Sequence, residues 1–173
     1  MHFLRTNAVV TEKYYTCLNG HQVHHSNDYS AVLSVGVYEY ESIVQWVSTE
    51  TQHAKARCEI CGSTAGVKQR FRHGPPLLVF SIPDSRIRID NTFDISTGNH
   101  CHTYILVAVI YYGSQHFTSQ LVTHDGRLWF YDRITIADPS IEPTLELVGS
   151  IQSQPSMNMC EGRRACAIIY ARL

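Results

Sequence analysis

The sequence lacks any segment typical of a membrane-spanning or secreted chain. No apolar run among its residues approaches the roughly 20 residues that a membrane-spanning helix needs. Met1 to Val10 also lacks the order of basic and then apolar residues that marks a secretory signal. The sequence therefore predicts a cytoplasmic or nuclear protein with no membrane partner.

An excess of either charge is missing as well. The chain carries 14 basic and 15 acidic residues, which gives a formal net charge of -1. Proteins that bind nucleic acid usually concentrate positive charge, and this composition does not. We therefore expect no nucleic-acid partner. Internal repeats and low-complexity tracts are also absent, and 173 residues suit one domain with a sizeable core.

Strand-like patterns dominate what is present. Residues 104–112 form a continuous apolar, β-branched run, and residues 117–123 and 127–134 follow it as two further strand-like runs. Asp125-Gly126 between the last two is a strong hairpin signal. Further strands are predicted at residues 31–38, 77–82, 86–95 and 165–171.

Helical patterns are few and short. Ser42 opens one candidate helix that runs through Val47, and residues 137–155 predict a surface loop with at most a short helix around residues 144–148. Residues 11–26 are polar and histidine-rich, and they predict a loop or a short ribbon. The predicted fold class is mainly β (α+β), with one or two short helices.

His116 and Asp132 stand at the ends of two neighbouring predicted strands. An antiparallel meander of residues 104–134 brings the start of its second strand beside the far end of its third. A carboxylate that fixes an imidazole in one tautomer enables it to take a proton from a thiol or hydroxyl. The pair is therefore a candidate base and orienter of a catalytic triad. The alternative is a polar strand-end histidine and an aspartate that begins a turn.

A metal site is indicated by Cys58-Glu59-Ile60-Cys61-Gly62. A Cys-x2-Cys-Gly knuckle supplies two thiolates from one tight turn, and zinc prefers four such ligands in a tetrahedron. The candidates for the second pair are Cys17 and His21, with His24 or His25 as substitutes for His21. Such a site would be structural, with no open position. The alternative is a loop with reduced thiols and solvated histidines.

Several segments in one order resemble the later part of the catalytic domain of the ubiquitin-specific proteases, which are cysteine peptidases. The knuckle followed by Lys68, Gln69 and Phe71, and then Pro76 to Phe80, is similar to the family's second zinc knuckle and the strand entering its palm. The segment Tyr104 to Gly113 resembles the strand before the family's histidine box, and His116 to Ser119 resembles the box itself. Trp129 to Asp132 resembles the strand that bears the third triad member, and Ala165 to Arg172 resembles the terminal strand.

The resemblance implies one half domain, residues 1–173, with a cysteine-proteinase-like superfold that lacks its thumb. It implies zinc-ribbon-like fingers at residues 11–66 and an antiparallel palm sheet at residues 67–173. It makes His116 the general base and Asp132 its orienter, with Trp129 packed behind. It also makes Cys17, His21, Cys58 and Cys61 a structural Zn²⁺ set.

Four departures from the family pattern are visible. Gln115 replaces the glycine before the histidine, Asp132 follows Trp129 one residue early, and His21 replaces a cysteine one residue late. The Asn-Gly-Asn-x-Cys-like box that bears the nucleophile is absent from Met1 to Thr16. Gly98-Asn99-His100-Cys101 is similar to a fragment of that box, but β-branched and apolar residues follow it, so we expect a loop thiol. Cys160 and Cys166 are expected to be structural.

The resemblance predicts a truncated or degenerate deubiquitinase, inactive by itself unless a second chain supplies the cysteine. The first alternative is a non-catalytic module that binds ubiquitin, a ubiquitin-like protein or a partner subunit. The second is a zinc-stabilised β domain with no link to ubiquitin. Because a palm without a thumb leaves apolar area uncovered, a partner chain or a homodimer is expected.

Overall fold

Antiparallel strands carry most of the regular structure. The computed structural model describes residues 9–35, 40–48, 51–83, 86–132, 144–154 and 156–173. The strands are β1 (Val9–Cys17), β2 (Gln22–Ser30), β3 (Leu33–Ser34), β4 (Thr51–Arg57), β5 (Thr64–Phe71), β6 (Leu77–Ser81), β7 (Thr92–Thr97), β8 (His100–Gly113), β9 (His116–Val122), β10 (Arg127–Asp132), β11 (Thr144–Ser150), β12 (Met159–Cys160) and β13 (Arg163–Arg172). Within these ranges there is one α helix, α1, which covers Ile43–Ser48. Among the described residues, no helix is both long and apolar enough to cross a membrane.

A four-stranded sheet in the order β2-β1-β5-β4 forms the fingers. Its strands pair antiparallel throughout, with Cys17 of β1 opposite Ala65 of β5. Of the two predictions for residues 11–26, the ribbon is therefore the one observed, and its strands are longer than expected. The hydrogen bonds of these strands come from backbone pairing. The polar side chains of residues 11–26 show no strand pattern from which this pairing could be predicted.

A nine-stranded sheet forms the palm, with the order β11-β10-β9-β8-β13-β6-β3 and with β7 and β12 paired to β8 and β13. The predicted meander is confirmed, since β8 pairs with β9 and β9 with β10, all antiparallel. The hairpin at Asp125-Gly126 is confirmed too, and Gly126 has the positive φ of 79° that the turn requires. The strand prediction for Arg127 onward holds to Asp132, and residues 133–134 lie outside the described residues.

The short helix predicted around residues 144–148 is wrong, because this segment is strand β11. It pairs antiparallel with β10, placing Leu145 opposite Tyr131 and Leu147 opposite Trp129. Leucine and glutamate favour helices weakly, but seven residues are too few to form one without packing, and an open sheet edge is available. Of the loop predicted at 137–155, the described residues 144–154 hold β11 and the 3-10 turn Ile151–Ser153, and residues 137–143 and 155 lie outside the described residues.

Two other predicted strands are shorter than expected, whereas the helix is confirmed. The 31–38 segment contributes only β3 and the buried Val35, with residues 36–38 outside the description. The 86–95 segment is a strand only from Thr92, although Ile87 and Ile89 are buried as their alternation predicts. At the start of α1, the Gln45 backbone N–H donates to the Ser42 hydroxyl over 3.1 Å, as an N-cap does.

The palm core is centred on Phe80, which is fully buried. Its ring lies 5.5 Å from that of Trp46 on α1, 5.8 Å from Tyr170 and 6.2 Å from Phe93, each in an edge-to-face arrangement. The buried Tyr170 hydroxyl donates to the Asp90 carbonyl over 2.7 Å. The cluster therefore joins α1, β6, β7 and β13 without leaving that hydroxyl unpaired.

Replacement of Phe80 by alanine is expected to destabilise the fold by about 3 to 5 kcal/mol, because it leaves a cavity at the centre of this cluster. The matched control is Phe117→Ala, since Phe117 is 60% exposed and its loss should cost well under half of that. The free energy of unfolding from urea titration measures both. Equal losses would show that Phe80 is not the centre of the core.

Candidate catalytic pair and metal centre

The first candidate site is formed by the register between β9 and β10. Thr118 of β9 lies directly opposite Asp132. His116 comes two residues before Thr118 on β9, so its side chain lies on the same face of the sheet as those of Thr118 and Asp132. Diagonal neighbours of this kind are within reach of long side chains. His116 Nε2 is hydrogen-bonded to Asp132 Oδ1. The structure thus brings the two predicted residues together.

The two partners differ in their access to solvent. The Asp132 side chain is 8% exposed, whereas that of His116 is 27% exposed. A carboxylate can only accept a hydrogen bond, so the proton of a neutral His116 lies on Nε2. Nδ1 is then the nitrogen that accepts a proton from another group. The pair has the geometry of a base held by an orienting carboxylate.

A thiol partner for this base is not found among the cysteines, all six of which lie in described residues. None of them forms a hydrogen bond with His116. Cys101 is exposed near the start of β8, and Gly113 at the end of β8 is the residue that pairs with His116. Twelve residues of extended strand span about 40 Å, so Cys101 is far too distant to donate a proton to His116.

The turn before His116 holds two residues in the left-handed region. Ser114 has φ of 53° and Gln115 has φ of 61°, and neither is glycine or asparagine. A two-residue hairpin loop with positive φ at both positions is of type I′, which favours asparagine followed by glycine. Gln115, which stands where the family pattern has glycine, therefore has a strained backbone conformation next to the candidate base.

Replacement of Gln115 by glycine is expected to stabilise the protein by about 0.5 to 1 kcal/mol, because glycine adopts positive φ without steric cost. The control Gln152→Gly, at an exposed position in the 3-10 turn Ile151–Ser153, should be neutral or destabilising. Thermal or urea unfolding compares the two. A loss of stability with Gln115→Gly would contradict the strained turn.

The second candidate site lies at the tip of the fingers, where two tight turns meet. In the first, the Gly20 backbone N–H donates to the Cys17 carbonyl over 3.0 Å. In the second, the Gly62 N–H donates to the Cys58 carbonyl over 2.7 Å, and Gly62 has φ of 70°. Because β1 and β5 pair with Cys17 beside Ala65, the two turns lie side by side.

Four ligand atoms converge there: those of Cys17, His21, Cys58 and Cys61 all lie within 4.8 Å of one another. The Sγ atoms of Cys17 and Cys61 are 3.7 Å apart, and Cys58 Sγ is 3.8 Å from His21 Nδ1. A zinc tetrahedron with Zn–S bonds of about 2.3 Å has S–S edges of about 3.8 Å. The cluster therefore has the ligand types and nearly the dimensions of a closed, structural zinc site.

The local hydrogen bonds favour the ligand form of one thiol. A hydrogen bond with the Ser63 hydroxyl, at 3.1 Å, lowers the pKa of the Cys61 thiol to about 5, with smaller contributions from the Ser63 backbone and His21. The thiolate is the form that binds metals. Nothing in the sequence pattern pointed to Ser63. The side chains of His24 and His25, the predicted substitutes for His21, lie outside the described part of the structure.

Purified protein is expected to contain about one zinc ion per chain, and Cys58→Ser should lose it because only three ligands remain. Metal analysis with a thermal melt measures both the content and the stabilisation. Cys101→Ser is the matched control, since Cys101 is exposed and outside the cluster, and it should keep its zinc. Absence of stoichiometric zinc, with a melt unchanged by chelator, would contradict the site.

Comparison with known proteins gives matches in structure and not in sequence. No protein-family model matches the chain, and no curated protein sequence does. A chain of the SAGA DUB module of Ubp8, Sgf11, Sus1 and Sgf73 bound to monoubiquitin matches with a TM-score of 0.67 and 12% identity, over 97% of this chain and 41% of that one.

Two further structures of this kind agree. The module bound to ubiquitin aldehyde matches with a TM-score of 0.66 and 12% identity, over 97% of this chain and 42% of that one. The yeast SAGA module with an Sgf73 mutant matches with a TM-score of 0.65 and 11% identity, over 97% and 41%. This chain therefore spans about two fifths of the length of the chains it matches.

The fold is mainly β and ubiquitin-specific-protease-like, with an antiparallel palm sheet and zinc-ribbon-like fingers, so the predicted fold class is confirmed. Within the described residues α1 is the single α helix, and no helical thumb accompanies the two sheets there. At 12% identity the likeness defines the fold, and the fingers hold a cluster that could bind a metal.

Proposed function

We propose that this chain is the fingers-and-palm part of a deubiquitinase-like cysteine peptidase. In this proposal it supplies the base His116 and the orienter Asp132 to a nucleophilic thiol that lies outside it. The hydrogen bond between His116 Nε2 and Asp132, which leaves Nδ1 to accept a proton, is the observation that carries the proposal. The match to less than half of the deubiquitinase-module chains supports a partner segment that completes the site.

Each step of the proposed reaction uses Nδ1 of His116. Nδ1 takes the proton of the thiol, and the thiolate attacks the carbonyl carbon of the bond that follows a ubiquitin-like C-terminus. The imidazolium, stabilised by Asp132, then gives its proton to the departing amine. In the second half, His116 takes a proton from water, whose oxygen attacks the thioester. The product with the free carboxylic acid leaves, and the His116 imidazolium returns its proton to the thiolate.

The zinc set has a structural role in this proposal. Cys17, His21, Cys58 and Cys61 would hold Zn²⁺, and the ion would fasten the β1–β2 turn to the β4–β5 turn. All four positions of the tetrahedron are then occupied by protein ligands, so the ion takes no part in hydrolysis. Its contribution is to the stability and shape of the fingers.

A second candidate function is a non-catalytic module that binds ubiquitin or a ubiquitin-like protein. The lack of any cysteine hydrogen-bonded to His116 favours it. Two of the matched structures are of modules bound to monoubiquitin and to ubiquitin aldehyde. A zinc-stabilised β domain unrelated to ubiquitin is the third candidate.

An exposed apolar face of the palm supports a partner chain or a homodimer. Tyr112 and Phe117 lie opposite each other on this face with ring centroids 4.6 Å apart, and both are well exposed. Leu121, Leu145 and Leu147 continue it across β9 and β11 and are 39% to 53% exposed. Several exposed apolar side chains on one face of a sheet are typical of an interaction site.

Titration calorimetry with monoubiquitin is expected to show binding by the purified chain. His116→Ala should leave the affinity unchanged, because His116 acts on the scissile bond, whereas Cys58→Ser should weaken binding through the fingers. A ubiquitin vinyl sulfone probe is expected to label no cysteine of the chain alone. Labelling would show a nucleophile within the chain, and absence of any binding would leave the structural candidate.

A further inference from the structure

One face of β9 carries a row of polar side chains that enters the palm interior. His116, Thr118 and Gln120 alternate along the strand and share this face. Thr118 is 3% exposed and Gln120 is 4% exposed. The cross-strand neighbours of Thr118 are Tyr111 on β8 and Asp132 on β10, which lie on the same face and are also buried.

The groups on either side of Thr118 are hydrogen-bonded. On one side His116 bonds to Asp132. On the other side the Tyr111 hydroxyl donates to Gln120 Oε1 over 2.7 Å. Thr118 Oγ1 is buried and has no hydrogen-bond partner among the residues that the structure describes. Buried hydroxyls are nearly always paired, so this one requires an explanation.

Asp132 is the group best placed to pair with it. Residues directly opposite in an antiparallel pair have Cβ atoms about 4.5 to 5.5 Å apart, so rotation about one side-chain bond can aim the Thr118 hydroxyl at the Asp132 carboxylate. An ionised carboxylate offers about four acceptor positions, which leaves room for a donor besides His116. The Tyr111 hydroxyl is less suitable because it lies at the Gln120 amide.

We propose that Thr118 is a positioning residue for the catalytic pair: its hydroxyl donates to the Asp132 carboxylate and holds it toward His116 Nε2. This inference rests on the proposed function, in which His116 becomes an imidazolium and Asp132 carries the opposing charge. A second donor keeps that buried carboxylate in one orientation as the charge forms.

The test is NMR spectroscopy of the His116 Nε2 proton in the full chain. Wild-type protein should show a downfield imidazole proton assigned to His116 and lost in Asp132→Asn. Thr118→Val, which is nearly isosteric but lacks the hydroxyl, should keep the fold and speed exchange of this proton with water at least about tenfold, because the carboxylate loses a charge-assisted hydrogen bond. Thr118→Ser should restore slow exchange, which a packing role would not predict.

Ser119→Ala is the matched control, since Ser119 is the next residue of β9 and lies on the opposite face. It should leave the exchange rate unchanged. The proposal would be overturned if the His116 Nε2 proton exchanged at the wild-type rate in Thr118→Val. It would also be overturned if this proton exchanged faster than in wild type in Thr118→Ser. If the valine variant does not fold, Thr118→Ala, which also lacks the hydroxyl, takes its place and should show the same faster exchange. Because the signal needs no ubiquitin, failure of monoubiquitin binding would reject the proposed function and leave this result intact.

Discussion

Antiparallel pairing of β9 with both β8 and β10 is the constraint on which the candidate catalytic end depends. Because Thr118 lies opposite Asp132, His116 is the diagonal cross-strand neighbour of Asp132, and its imidazole bonds to the carboxylate. Since side chains alternate between faces, a slip of one residue would send Asp132 to the exposed face and break the pair. The strained turn at Gln115 fixes the start of β9 within this register.

The fingers show the same dependence of chemistry on strand pairing. Cys17 and Cys61 are 44 residues apart, and pairing of β1 with β5 brings their sulfur atoms to 3.7 Å. Metal binding at such a cluster would couple the β1–β2 and β4–β5 hairpins at their turns, in addition to the backbone ladder between β1 and β5. The palm differs, since its stability derives from an apolar core around Phe80.

Much of this architecture was predictable, and the failures have physical causes. The strands β8 to β10 and β13 carry apolar, β-branched or aromatic residues, and Ser42 caps a helix whose start could be recognised. The β11 segment has no such pattern. Its state depends on the open edge of β10, a partner that local propensity does not reveal. Polar strands β1 and β2 were ambiguous for the same reason.

By itself the sequence determined the ligand types, the spacing of the Cys58–Cys61 knuckle and the presence of a histidine and an aspartate at strand ends. These are local properties of side-chain chemistry and of the strand period. Only the tertiary structure decided that Nε2 of His116 bonds Asp132, that Cys101 lies far from His116, and that Thr118 is buried between two hydrogen-bonded pairs. Register, distance and burial arise from pairing between strands, which no single strand encodes.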